Sequence, residues 1–200
     1  HSSGILEKLN SSGLLIGIDS DEKNLQPTHT QFSVFKNIPF SLHHSNFVNF
    51  PEILKKINVT KLNGILLDLG LSSMELDDSL RGFSYQKDGP LDMRFNIKAG
   101  QTASQFIKNT PKKEISAIIK LFGEENNYRK IGESIKQHVK MGSMNTTFDL
   151  KQAIVDVVPS RFLNKTLARV FQAIRIAVND ELSILTNTLN QTANYLKTGG

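Results

Sequence analysis

Two acids stand where an α/β protein does its chemistry: Asp19, closing the aliphatic run 14–19, and Asp68, closing the run 61–68. Short aliphatic runs read as buried parallel strands, and in open α/β sheets ligands bind just beyond the carboxyl ends of such strands. An acid closing the second strand of a doubly wound fold, about 20 residues after a glycine loop and a helix, accepts hydrogen bonds from ribose hydroxyls. By that logic a first strand and most of a glycine loop are expected upstream of His1. Asp68 opens onto a polar, glycine-punctuated loop, and residues 64–94 carry Asp68, Glu75, Asp77, Asp78, Asp88 and Asp92 in no amphipathic pattern. Such a loop is suited to a ligand.

The elements that must position these acids alternate in type. Ile5, Leu6 and Leu9 have helical spacing, the run 14–19 is a strand, and residues 20–37, which include Pro27, read as an imperfect helix and a loop. Residues 38–44 are expected as a further strand, 47–57 as a loop and short helix, and 61–68 as the strand that ends on Asp68. Alternation of strand and helix predicts a parallel sheet. The period then turns helical. Thr102 and Gln105 have capping-box spacing, and Thr110-Pro111 offers an N-cap with proline at the first helical position. Ile115, Ile118, Ile119 and Phe122 form one stripe, stopped by Gly123, and Tyr128, Ile131, Ile135 and Val139 form another. Thr147 can cap a helix carrying Leu150, Ile154 and Val157. A long last helix from about Thr166 carries apolar residues from Phe171 to Leu189, and residues 197–200 read as its closing turn, with a further strand expected beyond Gly200. The expected domains are an α/β core over 1–96, an inserted helical subdomain over 97–165, and a helix over 166–200 that returns to the core.

Charge supports that division. Residues 97–165 hold 12 Lys/Arg against 6 Asp/Glu, whereas the rest of the chain holds 12 against 13. A basic segment beside a near-neutral body suggests a polyanionic partner met on one side, with nucleic acid the first candidate. The chain has no cysteine, which removes disulfides, thiolate zinc sites and cysteine nucleophiles and fits a reducing compartment. It has no apolar run of about 18 residues and no signal-peptide pattern at its start, so no membrane association is expected. No metal constellation is visible, and His43 and His44 lack partners at ligand spacing and read as structural.

Leu66-Leu-Asp-Leu-Gly70, Ser72-Ser73, Leu76-Asp77, Arg81-Gly-Phe-Ser84 and Asp88-Gly-Pro-Leu-Asp-Met-Arg94 closely resemble the motifs of the bacterial small-subunit ribosomal RNA (cytosine-N4)-methyltransferases and their mitochondrial relatives. Phe171-Gln-Ala-Ile-Arg-Ile176 with Val178-Asn179 and Glu181-Leu182 is a second match, and Phe122-Gly-Glu-Glu125 a weaker one. The resemblance implies a Rossmann-like, S-adenosylmethionine-dependent enzyme with a helical insertion for substrate recognition. Its partner would be small-subunit ribosomal RNA or the 30S-type subunit, its compartment the cytoplasm, or the mitochondrion for a eukaryotic relative; a homodimer stays open. It also implies that the chain is an internal fragment, inactive alone, because the family's opening glycine loop and closing Ser-Phe-His-Ser motif are not in it. On this resemblance His1 corresponds to the loop histidine, Asp19 to the acid on the adenosine ribose, Phe47 to the aromatic near the adenine, and Asp68 to the acid after the next strand. Glu75 falls where relatives usually carry Gln; it accepts a hydrogen bond but cannot donate one when ionised, which puts its cofactor role in doubt.

Methyl transfer to cytosine N4 would be an in-line displacement by an amine whose lone pair is delocalised into the ring. An acceptor on the amino protons would localise that lone pair and offset the developing charge. Asp68 is the candidate for this, or it serves the cofactor alone. Asp88 and Asp92 would then be braces, while Arg81 and Arg94 either hold RNA phosphate or pair with the acids, the pairs being favoured. The target amine lies on the pairing edge, so the base must be unpaired or flipped. Lys98, Lys108, Lys112, Lys113, Arg129, Lys130, Lys136 and Lys140 give the insertion charge for the RNA backbone. Two other classes stay open: a noncatalytic RNA-binding relative of the same fold, and a nicotinamide-dependent Rossmann oxidoreductase, which shares Asp19 but has no counterpart to the Asp68 loop.

Overall fold

The computed structural model describes residues 1–200, and α/β and all-helical character separate along the chain. Short α1 (Ser2–Leu6) buries Leu6 and precedes strand β1 (Leu15–Asp19). The chain crosses over through α2 (Glu22–Phe32), whose N-cap Asp21 accepts from the Lys23 amide, and returns as β2 (Phe40–His44). β1 and β2 pair in parallel, Leu15 opposite Phe40 and Asp19 opposite His44, as a strand-helix-strand crossover requires. Pro39 stands just outside β2, where its missing N–H costs the ladder nothing and its carbonyl accepts from Leu15 at 3.1 Å. Phe32 and Phe40 meet edge to face, and Phe50, Ile53 and Leu54 of α3 (Phe50–Lys56) are buried. This is the mixed α/β architecture with a parallel sheet that the alternation predicts.

Residues 61–68, expected as a strand, form none. Leu62 alone bridges to Leu196, its amide donating to Tyr195 at 2.7 Å and its carbonyl accepting from Lys197 at 2.9 Å. A strand exists through its neighbour's backbone groups, which an aliphatic composition cannot supply. No strand pairs with Ile65–Leu67, and Leu66 is 58% exposed. Asp68 therefore closes no strand; it is exposed at the start of a loop.

Two compact units result: residues 1–67 with 182–200, and residues 68–181. The second is helical: α4 (Ser73–Asp77), α5 (Ala103–Asn109), α6 (Lys112–Gly123), α7 (Tyr128–Lys140), α8 (Thr147–Val155) and α9 (Ser160–Val178). This unit begins at Asp68, because Phe83, Leu91 and Met93 of the acidic loop are packed with the helices. Ile107, Ile115, Ile119, Ile131, Ile135, Leu150, Ile154, Val170 and Ile174 are fully buried in one cluster, each side chain worth about 1.5–3 kcal/mol on burial. Gly132 brings α7 close to α6, since a Cβ there would collide with Ser116.

Cap chemistry explains the helix ends, with two shifts. Thr102 and Gln105 form the expected capping box of α5. Thr110 ends α5 instead of opening α6, which starts at Lys112 behind Pro111 without a side-chain cap. The capping residue of α8 is Thr146, not Thr147, because Asp149 stands three positions after Thr146 and completes the reciprocal box. The expected last helix is two, α9 and α10 (Glu181–Thr192), broken at Asn179 and Asp180, where Asp180 takes φ 50°.

Candidate functional site

In the first unit the parallel ladder brings Asp19 and Phe47 to one edge. The Asp19 carbonyl accepts from Ser45 at 3.0 Å, and His44 Nε2 lies 3.1 Å from the Ser20 carbonyl oxygen, so the two strand ends are tied together. Asp19 Oδ1 accepts from the Asp21 amide at 2.7 Å, and Oδ2 from Asn24 Nδ2 at 3.1 Å. A carboxylate has about four lone-pair positions, so two oxygens fixed by one bond each keep acceptor capacity for a vicinal diol. Phe47 follows β2 by three residues and opens a single 3-10 turn fixed by Asn46, whose side chain accepts from the Val48 amide at 3.1 Å. Both are half-buried. A held carboxylate that can accept from hydroxyls and an aromatic ring that can stack, at one sheet edge, fit a nucleoside. His1 sits on a different element, exposed as the N-cap of α1. His43 Nε2 lies 2.7 Å from the Ser41 hydroxyl, a local structural bond.

In the second unit Asp68 begins the loop and Gly70 follows with φ 127°, a backbone conformation that favours glycine although open space surrounds the position. Ser72 then caps α4: its hydroxyl accepts from the Glu75 amide at 3.1 Å, and Glu75 Oε2 accepts from the Ser72 amide at 2.8 Å. Glu75 is thus buried as a capping-box residue, a role that Glu and Gln fill equally.

The remaining motif residues fold the loop onto itself. Arg81 is buried, with Nη2 donating to the carbonyls of Arg94 and Phe95 at 2.8 and 2.9 Å, and so braces the loop. Arg94 grips Asp92 with two bonds, Nε to Oδ1 at 2.8 Å and Nη2 to Oδ2 at 2.7 Å, which raises its already high pKa. Gly82 has φ 71°, and a Cβ there would strike the Pro90 carbonyl oxygen. Asp88 Oδ1 accepts from the amides of Gly89 and Phe148 at 3.0 and 3.2 Å, while Thr147 donates to the Gly89 and Lys87 carbonyls. Desolvation pushes the Asp88 pKa up, but these bonds and those from the Thr146 and Thr147 hydroxyls outweigh it and hold it below the ordinary carboxylate value.

Asn179, which stands in the second matched motif, is a positioning residue. Its Nδ2 donates to the carbonyls of Met93 and Arg175 at 2.7 and 2.9 Å, and its Oδ1 accepts from the Phe95 amide at 2.8 Å. It ends α9 and clamps the Asp88–Arg94 motif at once. An Asn directly after an apolar helical stripe is the signal that could have marked it.

The basic side chains divide. Lys136 donates to the carbonyls of Ile107, Lys108 and Thr110 at 2.9, 3.1 and 2.9 Å, closing the C-terminus of α5, and burial lowers its pKa. Lys108 donates to Asn145 at 2.7 Å, and Lys112 pairs with Glu133. These three have structural partners, which the count of positive charges does not reveal. Lys113, Arg129, Lys130 and Lys140 are exposed. A depression of about 390 Å³, lined by residues such as Glu52, Lys55 and Tyr195, includes none of the candidate residues. No group of three or more His, Asp or Glu is arranged to hold a metal ion, and no helix is long and apolar enough to cross a membrane.

A family model described as the MraW methylase family matches residues 1–200. Proteins named ribosomal RNA small subunit methyltransferase H are similar over 100% of this chain: one from Clostridium botulinum (strain 657 / Type Ba4) at 39% identity, one from Halothermothrix orenii at 37%, and one from Clostridioides difficile (strain 630) at 37%. The chain spans 65% of the length of each of these relatives.

Proposed function

Because the chain belongs to the MraW methylase family, we propose that it forms the greater part of an enzyme that transfers a methyl group from S-adenosylmethionine to the exocyclic N4 of a cytidine in small-subunit ribosomal RNA. The observation that carries this reading is the family match over all 200 residues, beside relatives named as small-subunit ribosomal RNA methyltransferases. S-adenosylmethionine, when bound, supplies a sulfonium-activated methyl group. Asp19 accepts the ribose hydroxyls and Phe47 offers its ring to the adenine, roles supported by their common place at the edge of β1 and β2. His1 completes the cofactor contacts at the opening of α1. Asp68 accepts from the amino group of the target base, localising its lone pair for attack and offsetting the charge that develops on nitrogen. Glu75 acts through α4, by holding the helix that follows Asp68 and Gly70. Its departure from the relatives' Gln therefore gives no support to a noncatalytic reading.

Residues 97–165 serve as the substrate-recognition part, and the base enters unpaired because N4 lies on its pairing edge. The test is methyl transfer by the full-length protein to small-subunit ribosomal RNA, with the product digested to nucleosides. Wild type should give N4-methylcytidine. Asp68→Asn should lower kcat at least tenfold with little change in cofactor affinity. An equal loss of cofactor affinity would move Asp68 from the base to the cofactor, and a product methylated at another atom would overturn the reaction assigned.

A further inference from the structure

Aromatic rings are exposed near the start of α8 and near the start of α9. Phe148 is 41% exposed and Phe162 49%, with Val155 at 37% between them in sequence. Each ring has a cation over it: Lys151 Nζ lies 4.8 Å from the Phe148 centroid and Arg161 Cζ 4.6 Å from that of Phe162. Phe148, Lys151 and Val155 share one face of α8, while Leu150, Ala153 and Ile154 of the same helix face the core. Lys165, also exposed, follows in the second turn of α9.

The acids of this stretch are occupied within the fold. Asp149 accepts from the amides of Asn145 and Thr146, and Asp156 is bonded to His138 and Gln152. Lys151, Arg161 and Lys165 outnumber these two acids, so the stretch is net positive and the complementary partner is anionic. A scattered exposed apolar residue needs no explanation, but two rings in 15 residues, each covered by a cation on one side, offer flat faces and positive charge together. That is the combination single-stranded nucleic acid uses: bases stack on the rings and the cations follow the phosphates. The Phe148 amide is bonded to Asp88, and Thr147 beside it to the Gly89 and Lys87 carbonyls, so the first ring is fastened to the same loop that carries the family motif.

We propose that Phe148, Lys151, Val155, Arg161, Phe162 and Lys165 form a stacking platform for single-stranded RNA flanking the target cytidine. This rests on RNA being the substrate, and it locates the RNA contact at rings on α8 and α9 rather than at the lysines of α5 to α7. The test is fluorescence anisotropy of the full-length protein with a labelled single strand of roughly 20 nucleotides and with its duplex, beside the methyl-transfer assay. Phe148→Ala and Phe162→Ala should each weaken single-strand binding about fivefold or more and duplex binding little. Lys151→Gln with Arg161→Gln should flatten the logarithmic salt slope by about 1.4. Because both rings are exposed, the variants should melt like wild type; Phe148→Leu, which keeps apolar bulk but loses the flat face, should also bind weakly. Unchanged single-strand affinity in the phenylalanine variants overturns the platform while wild-type methyl transfer leaves the enzyme reading standing. Loss of binding to small subunits with RNA affinity intact would assign the patch to a protein and also overturn it. Wild-type protein that neither binds RNA nor methylates it would remove the enzyme reading, and the platform with it.

Discussion

At the scale of single residues, type and charge disclose less than bonding does. Asp19 closes β1, as the aliphatic run before it predicts, and its carboxylate is held by two local bonds yet able to accept more. Calorimetry on the full-length protein should show Asp19→Ala binding S-adenosylmethionine at least tenfold more weakly, through loss of a charge-assisted diol contact; equal affinity would take Asp19 out of the site. Lys136 was not legible: the sequence shows one more positive charge on a basic segment, and only the fold brings three helix-end carbonyls to it. Lys136→Gln should therefore cost about 1–2 kcal/mol of stability and leave RNA affinity and its salt slope unchanged. Thermal melts and binding measured side by side check this, and a lower salt slope at wild-type stability would return Lys136 to the RNA surface.

At the scale of elements, the local signals that carried were those whose partners lie a few residues away. The box at Thr102 and the α6 and α7 stripes are local patterns. The run 61–68 failed as a strand because strand formation needs a neighbour that is remote in sequence, and only Leu62 finds one. The division of the last helix was hidden for a related reason: Asn179 leaves helical geometry to clamp Met93 and Phe95, some 85 residues earlier. Between α7 and α8 the contact is electrostatic and titratable. His138 lies 2.8 Å from Asp156, and bonds from His138 and then Gln152 hold the Asp156 carboxyl below its ordinary value. A carboxyl with a depressed folded pKa adds stability above its unfolded value, near 4, and loses that contribution as pH falls through the folded value. Melting temperature followed from pH 7 to pH 3 should thus fall less steeply in Asp156→Asn than in wild type. The difference should be about 1 kcal/mol at most, since the Asp156 side chain is 43% exposed, and parallel curves would show that the pair does not contribute.

At the scale of the whole molecule, the charge asymmetry and the motif array point to one activity. The basic surplus falls in the helical residues 97–165, and the conspicuous acids of residues 64–94 are largely committed to caps and braces that shape the loop after Asp68. What composition could not supply was the division of labour, because Arg81, Arg94, Lys108 and Lys136 count equally as cations although each is held by the fold. The most direct test of the account is to map N4-methylcytidine in small-subunit ribosomal RNA from cells lacking the full-length gene, with and without a plasmid copy. The account predicts that one cytidine loses its N4 methyl group in the deletion, regains it with the wild-type copy, and stays unmethylated with the Asp68→Asn copy. Full N4-methylation in the deletion strain would contradict it.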